Sequence, residues 1–222
     1  VNFGILGDLG AVNWYDLNQE SYTDGAAVNR FKDRGTDGID LVNANGSPTY
    51  NKTDNAIILD GVDDVLQSET TGSTLLSQPF TRVLVAELQD PGRTDWAILD
   101  SDSGAAPADR SILDTFAGAA NELRIWSGTT LDTNVSEVQA LAVFVMEHNG
   151  GSSRFIRDDV VEASGAAGSQ KLRGMTIGNF QGISASRFAK LKLKEVANIP
   201  GVLTSAEITD MTDSLKAKWG IG

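Results

Sequence analysis

The apolar residues of this chain come in short runs broken by glycine, aspartate, asparagine and serine, a pattern of many short strands joined by turns. The stretch Asn55 to Gln67, NAIILDGVDDVLQ, shows it best. Ala56-Ile57-Ile58-Leu59 and Val65-Leu66 flank the polar knot Asp60 to Asp64; the β-branched content predicts strands and Asp-Gly a tight reversal, so the stretch predicts a hairpin in a sheet core. Further strands are expected at Ala11–Leu17, Ile39–Val42, Thr81–Leu88, Trp96–Leu99, Ser153–Arg157 and Leu172–Gly178. Ser111–Phe116 is expected to pair with Glu122–Trp126 across Ala117–Asn121, and Gln139–Glu147, the most apolar run, to lie centrally. Phe188–Val196 alternates cleanly: Phe188, Lys190, Lys192 and Lys194 fall on one parity and Ala189, Leu191, Leu193 and Glu195 on the other, which predicts one wet, basic face.

Between these runs, Ser21–Asp40 predicts a loop pinned by Val28 and Phe31, Asp90-Pro91-Gly92 a turn, Asp100–Asp109 a long polar loop, His148–Gly151 an exposed hairpin turn, and Asp158-Asp159 a turn into Val160-Val161-Glu162. Residues 1–10 predict an arm or a first edge strand. The end differs in period. Thr204-Ser205-Ala206-Glu207 forms a capping box, and Ile208, Met211, Leu215 and Trp219 follow at helical spacing, predicting one helix over Ser205–Lys218. About 12 short strands followed by one capped helix imply an all-β, two-sheet antiparallel jelly-roll sandwich, with residues 1–222 as a single domain.

Composition narrows the chemistry. The chain of 222 residues has no cysteine and one histidine, His148, which excludes disulfides and zinc sites built from several His or Cys ligands. Its formal net charge of −12 argues against nucleic acid or an anionic membrane as partner and is compatible with Ca²⁺ on oxygen ligands. No apolar run reaches the ~18 residues of a membrane span, and the start shows no signal-peptide pattern.

Several segments together resemble the concanavalin A-like lectin/glucanase superfamily, in its laminin-G-like branch. Trp14-Tyr15-Asp16-Leu17 resembles the opening strand, and Asp33-Arg34-Gly35-Thr36-Asp37-Gly38 a D-x-S-G-x-G stretch. Pro48-Thr49-Tyr50 followed by Leu59-Asp60-Gly61-Val62-Asp63-Asp64 resembles a P-T-Y … F-D-G-x-D-D signature, and Gln78-Pro79-Phe80-Thr81 the opening of the next strand. Thr176-Ile177-Gly178, Lys194-Glu195-Val196 and Leu203 to Ile221 resemble the closing strands and helix. The resemblance implies a jelly roll and a family of glycan binders, glycoside hydrolases, polysaccharide lyases and structural virion modules. The function expected from it is a non-enzymatic virion or cell-surface module, extracellular, that binds glycan or a neighbouring protein as a homo-oligomer or part of a larger assembly; the alternative is a polysaccharide lyase or hydrolase of the same fold. The superfamily's Glu-x-Asp-x-x-Glu hydrolase strand is absent, as are the lyase branch's Gln-x-His pair and Tyr-rich strand.

Candidate sites follow from residue chemistry. Trp126, flanked by Arg124 and Ser127, and Trp96 offer ring faces on which a sugar stacks, with core packing as the plainer role for Trp96. Glu147 and His148 are the residues at stake for acid–base catalysis, with an exposed turn as the plainer role for His148. Asp60, Asp63 and Asp64 offer clustered carboxylates to Ca²⁺, with capping of the reversal as the plainer role. Asp100, Asp102 and Asp109 match no EF-hand spacing, and the row Lys190, Lys192, Lys194 offers cations to an acidic partner.

Overall fold

The computed structural model describes residues 4–69, 73–89, 96–102, 109–115, 122–136, 139–181 and 183–222. The expected turn at Asp90-Pro91-Gly92 and the connection Ala117–Asn121 lie outside them, as does most of the loop after Asp102. In chain order the strands are β1 (Asn13–Asp16), β2 (Arg30–Phe31), β3 (Leu41–Asn45), β4 (Thr49–Asn51), β5 (Ala56–Asp60), β6 (Val65–Ser68), β7 (Leu75–Leu76), β8 (Phe80–Leu88), β9 (Ala97–Asp100), β10 (Ile112–Thr115), β11 (Glu122–Trp126), β12 (Thr130–Ser136), β13 (Ala142–His148), β14 (Ser153–Arg157), β15 (Val160–Gly165), β16 (Leu172–Arg173), β17 (Thr176–Ile177) and β18 (Lys190–Pro200). Two α-helices, α1 (Ile5–Asp8) and α2 (Ser205–Trp219), stand near the ends.

The strands form an antiparallel sandwich. The first sheet runs β15-β14-β13-β8-β18-β5-β4, with β1 also on β18; the second runs β12-β11-β10-β9-β17-β6-β3-β2; β16 and β7 pair separately. Register fixes which residues face inward. Arg82, Leu84, Ala86 and Leu88 of β8 align with Asn198, Val196, Leu193 and Leu191 of β18, and Leu84 with Phe144 of β13. Arg82 shows which way this face points, because it reaches carbonyls at the end of β9 and just before β10 in the second sheet, donating from Nη1 to Ser111 O (2.6 Å) and from Nη2 to Asp100 O (3.0 Å). One cluster of buried apolar side chains from both sheets fills the space between.

The stretch Asn55–Gln67 is not a hairpin. β5 pairs with β4 and β18 in the first sheet, whereas β6 pairs with β3 and β17 in the second. The reversal at Asp60–Asp64 therefore carries the chain from one sheet to the other. Each strand already has a neighbour on both sides, which leaves no edge on which the two could pair with each other. The knot is clamped by its own carboxylates: Asp64 Oδ1 accepts from Ser47 N–H (2.6 Å), Asp64 Oδ2 from Asp60 N–H (2.9 Å) and Asp60 Oδ1 from Val62 N–H (2.7 Å).

The expected basic face on the late strand also fails. A bulge shifts the register between Leu193 and Glu195, so Glu195 leaves the parity of Leu191 and Leu193 and turns to the outer face. Lys194 is buried, donating to the carbonyls of Asp54 and Asn55 and lying over the Trp219 ring at 5.6 Å. Lys192 pairs with Asp54 (3.1 Å) and Glu87 (3.3 Å), leaving Lys190 as the exposed member of the row. Leu172–Gly178 divides into β16 and β17 in different sheets around Gly174, whose φ of +55° is accessible to glycine at little strain. Residues 5–8 form a single helical turn with Leu6 buried rather than an edge strand.

The C-terminal helix forms as its pattern dictates. Thr204 Oγ1 accepts from Glu207 N–H, Glu207 accepts from Thr204 N–H, and Gly220 at φ +68° ends the helix. Its buried stripe of Ile208, Met211, Leu215 and Trp219 covers the outer face of the first sheet. The outer face of the second sheet is left to other elements.

Candidate functional site: a cleft on the second sheet

The site begins with the pairing of β10 and β11. Leu113 opposite Ile125 and Thr115 opposite Leu123 face the core, so Ile112 opposite Trp126 and Asp114 opposite Arg124 face outward. These four side chains floor an open cleft of about 520 Å³, walled by Arg110 on one side and by Phe180, Gln181, Ser184 and Arg187 on the other.

The wall after β17 is held in place by buried amide groups. Asn179, fully buried, accepts at Oδ1 from Phe180 N–H (2.7 Å) and Ser184 N–H (3.1 Å) and donates to Ser184 O (2.8 Å). Gln181 N–H donates to Asp100 Oδ2 (3.0 Å), and Gln67 Nε2 donates to Gln181 O (3.1 Å). These bonds tie the wall to β6 and to the end of β9.

Charge in the cleft is arranged in pairs. Arg124 forks onto Asp114, Nε to Oδ1 at 2.5 Å and Nη2 to Oδ2 at 2.9 Å. Arg110 forks in the same way onto the fully buried Asp100. The Phe180 ring lies against two guanidinium groups, Arg110 at 5.4 Å and Arg187 at 5.0 Å from its centroid. With those contacts on Phe180, Trp126, half-buried on the floor, is the aromatic face the cleft offers to a ligand.

The expected site residues are placed as follows. Trp126 and Arg124 come together on the cleft floor. Trp96 is fully buried in the sandwich core and offers no face to solvent. Glu147 and His148 are consecutive on β13 and point to opposite faces. Glu147 is on the outer face beneath α2, paired with Arg154 and accepting from Leu203 N–H (3.0 Å). His148 points inward and is fully buried, contrary to its expected place on an exposed turn: Nε2 lies 2.9 Å from Ser111 Oγ and the ring stacks on Phe80 at 4.8 Å. Burial, helped by the Arg82 charge, pushes its pKa down to about 3. The two are therefore not assembled into an acid–base pair.

Asp60, Asp63 and Asp64 each bring a carboxylate oxygen to within 4.8 Å of the others at the reversal between β5 and β6. The donor set fits Ca²⁺ poorly. Asp64 is 4% exposed with both oxygens taken by backbone N–H groups, and Ca²⁺ asks for six to eight oxygens. Asp100 and Asp102 are fully buried, Asp100 against Arg110 and Asp102 against Arg173 at 3.5 Å, rather than solvated on a loop.

Arg110, Phe180, Gln181, Ser184 and Arg187 are not singled out by any sequence pattern. They lie on connections without periodicity, and the one local signal is a lone aromatic, Phe180, in a Gly-Asn-Phe-Gln-Gly run. A smaller hollow of about 240 Å³ lies between the β14–β15 hairpin and the start of α2, where Thr209 Oγ1 donates to Asp159. Among the described residues no helix is long and apolar enough to cross a membrane.

No family model and no curated protein matches the chain. Solved structures do. Trypanosoma rangeli sialidase superposes with a TM-score of 0.63 at 14% identity over 94% of this chain, which spans 33% of the sialidase chain. Domain 4 of an extracellular arabinanase from Geobacillus stearothermophilus, solved with arabinotriose, superposes with a TM-score of 0.57 at 14% identity over 91% of this chain and 98% of its own. The binding domain of botulinum neurotoxin DC, solved with SialylT, superposes with a TM-score of 0.66 at 9% identity over 93% of this chain and 52% of its own. At these identities the likeness is one of fold, and it places the chain among β-sandwiches found both in glycan-binding domains and in glycoside hydrolases.

Proposed function

We propose that the chain is a glycan-binding module of the concanavalin A-like, laminin-G-like kind, carried on a virion or cell surface, and that the cleft on the second sheet is its binding site. The carrying observation is Trp126, half-exposed on a rigid strand and set beside the forked Arg124–Asp114 pair at the floor of the cleft. A flat aromatic ring with a few fixed polar groups is how a protein orients a sugar ring, and a site built on paired strands holds that geometry without reordering.

Binding is favoured over turnover by the state of the carboxylates. Glycoside hydrolysis takes two carboxyl groups flanking the scissile bond. Among the described lining residues the one carboxylate is Asp114, and it is 2% exposed with both oxygens engaged by Arg124. The fold likeness to an arabinanase domain solved with arabinotriose and to a toxin domain solved with SialylT supports a carbohydrate ligand.

The test is a glycan array probed with the intact chain and with Trp126→Ala. Retention of at least one glycan class that the variant loses, with no release of reducing ends from it, is the expected result. Retention unchanged in Trp126→Ala would remove the cleft from the reading, and release of product would replace binding by catalysis.

A further inference from the structure

We propose, resting on the glycan reading of this cleft, that Asp100 is its positioning residue: one buried carboxylate holds both walls and so fixes the width offered to a saccharide.

Asp100 ends β9 and is fully buried, so it reaches no ligand itself. Its two oxygens nevertheless serve both sides of the cleft. Arg110, on one wall, forks onto it with Nε toward Oδ1 and Nη2 toward Oδ2. Gln181, on the opposite wall, donates its backbone N–H to the same Oδ2 (3.0 Å). Oδ1 also accepts from Ser101 N–H (2.7 Å), which anchors the carboxylate to its own stretch of chain.

The clamp is braced from the core. Arg82, fully buried, donates from Nη2 to Asp100 O (3.0 Å) and from Nη1 to Ser111 O (2.6 Å), so one side chain holds the residue that bears the carboxylate and the neighbour of Arg110. Ser111 N–H donates to Ser101 Oγ (3.2 Å), and Thr176 Oγ1 donates to Ser101 O (2.5 Å), which fastens the base of the β9–β10 connection to β17. Walls locked in this way keep their geometry before a ligand arrives, and less ordering entropy is lost on binding.

The arrangement needs a carboxylate. Every side-chain partner of Asp100 is a donor, so both oxygens must accept. An amide of the same size fails in either orientation. With its NH2 group in place of Oδ1 it faces Ser101 N–H and Arg110 Nε, donor against donor. With its NH2 group in place of Oδ2 it faces Arg110 Nη2 and Gln181 N–H, and the two walls lose their shared acceptor. The contacts that survive are also weaker, because a charge-assisted hydrogen bond is roughly twice as strong as a neutral one.

The experiment follows backbone amide exchange by NMR in the parent chain, Asp100→Asn and Asp100→Ala, and titrates each with arabinotriose and with sialyllactose. Both substitutions are expected to speed exchange of the Gln181 amide by about tenfold more than that of amides in β8 and β13, and to weaken binding of the saccharide that the parent takes by about tenfold. Equal acceleration of Gln181 and of the β8 and β13 amides would overturn the proposal, since Asp100 would then serve the sandwich as a whole. Parent affinity retained in a variant whose Gln181 amide is freed would equally overturn it. Binding of no saccharide, on the array or in either titration, would overturn the glycan reading, and the exchange rates would still decide whether Asp100 joins the walls. Should both Asp100 variants fail to fold, Arg110→Lys keeps the charge but not the fork and is expected to speed Gln181 exchange across the cleft about threefold. An unchanged rate there would overturn the shared clamp.

Discussion

Trp219 on the terminal helix donates its indole N–H to Oε2 of Glu195 on the longest strand, at 2.7 Å. The same carboxylate accepts from Lys218 Nζ at Oε2 (2.7 Å) and from the Trp14 indole at Oε1 (2.7 Å), and it is 1% exposed. One buried carboxylate thus ties α2, β1 and β18 together. Glu195→Gln replaces an acceptor by a donor facing an indole N–H and removes one of the two carboxylates, with Asp16 at 2.8 Å, that offset Lys218. A loss of about 3 kcal/mol in urea unfolding is expected, and Trp219→Phe, which keeps the packing, should lose about 1 kcal/mol. Equal losses from the two variants would show that packing rather than the carboxylate holds the helix.

His148 makes stability depend on pH in a definite direction. Its folded pKa of about 3 lies below its usual 6.5, so between these values the unfolded chain binds a proton that the folded chain does not. Stability is therefore lost as pH falls below 6.5, with a slope approaching about 1.4 kcal/mol per pH unit. Burial raises the pKa of Glu195, Asp33 and Asp64, which works in the opposite direction as their carboxyl groups titrate. Comparison with His148→Gln isolates the histidine. The variant should start less stable at pH 7, and its unfolding free energy should fall about 2 kcal/mol less than that of the parent chain between pH 7 and pH 5.

The Arg124–Asp114 fork under the cleft should behave as a unit. Asp114→Asn leaves a half-buried guanidinium without its carboxylate and is expected to lower stability by about 2 kcal/mol. Changing both residues to leucine removes the unmatched charge and should recover most of that loss, a coupling that a double-mutant cycle in thermal unfolding reads directly.

The Asp60–Asp64 knot is expected to act as a clamp rather than a metal site. Gly46 sits against it at φ +68°, and a Cβ there would stand 2.5 Å from Asp64 Oδ1 and 2.7 Å from Asp63 Oδ1. Gly46→Ala should therefore cost about 2 kcal/mol or more through both backbone strain and contact. Melting in excess Ca²⁺ and in EDTA should coincide, and a rise of several degrees with Ca²⁺ would make the cluster a binding site.

What could be read along the chain was what depends on neighbours in sequence. The capping box at Thr204–Glu207 and the stripe from Ile208 to Trp219 are local, and the helix formed there to within one residue. Arg124 and Trp126 are two apart on a strand, so their shared face followed from alternation alone. The rest turns on distant partners. Whether β5 and β6 pair with each other depends on β18 and β17, and the burial of His148 depends on Ser111 and Phe80. The bulge at Lys194 reverses the parity of Glu195 with no local warning. Strand β12 was not expected at all, since Thr130-Leu131-Asp132-Thr133 has the polar content of an exposed edge. Phe180 and Arg187 reach the cleft because a buried asparagine and Asp100 shape their connection, which no periodicity announces.

Strand β18 hydrogen-bonds to β1, β5 and β8, and all three precede it in the chain by a hundred residues or more. During synthesis, those earlier strands leave the ribosome with their central neighbour still unmade. Their apolar edges stay unsatisfied until Lys190–Pro200 emerges, which predisposes the nascent chain to late, concerted collapse and to capture by holding chaperones in the interval. Moving this segment to the front by circular permutation would let the sheet assemble progressively, and the yield of soluble product should rise with it.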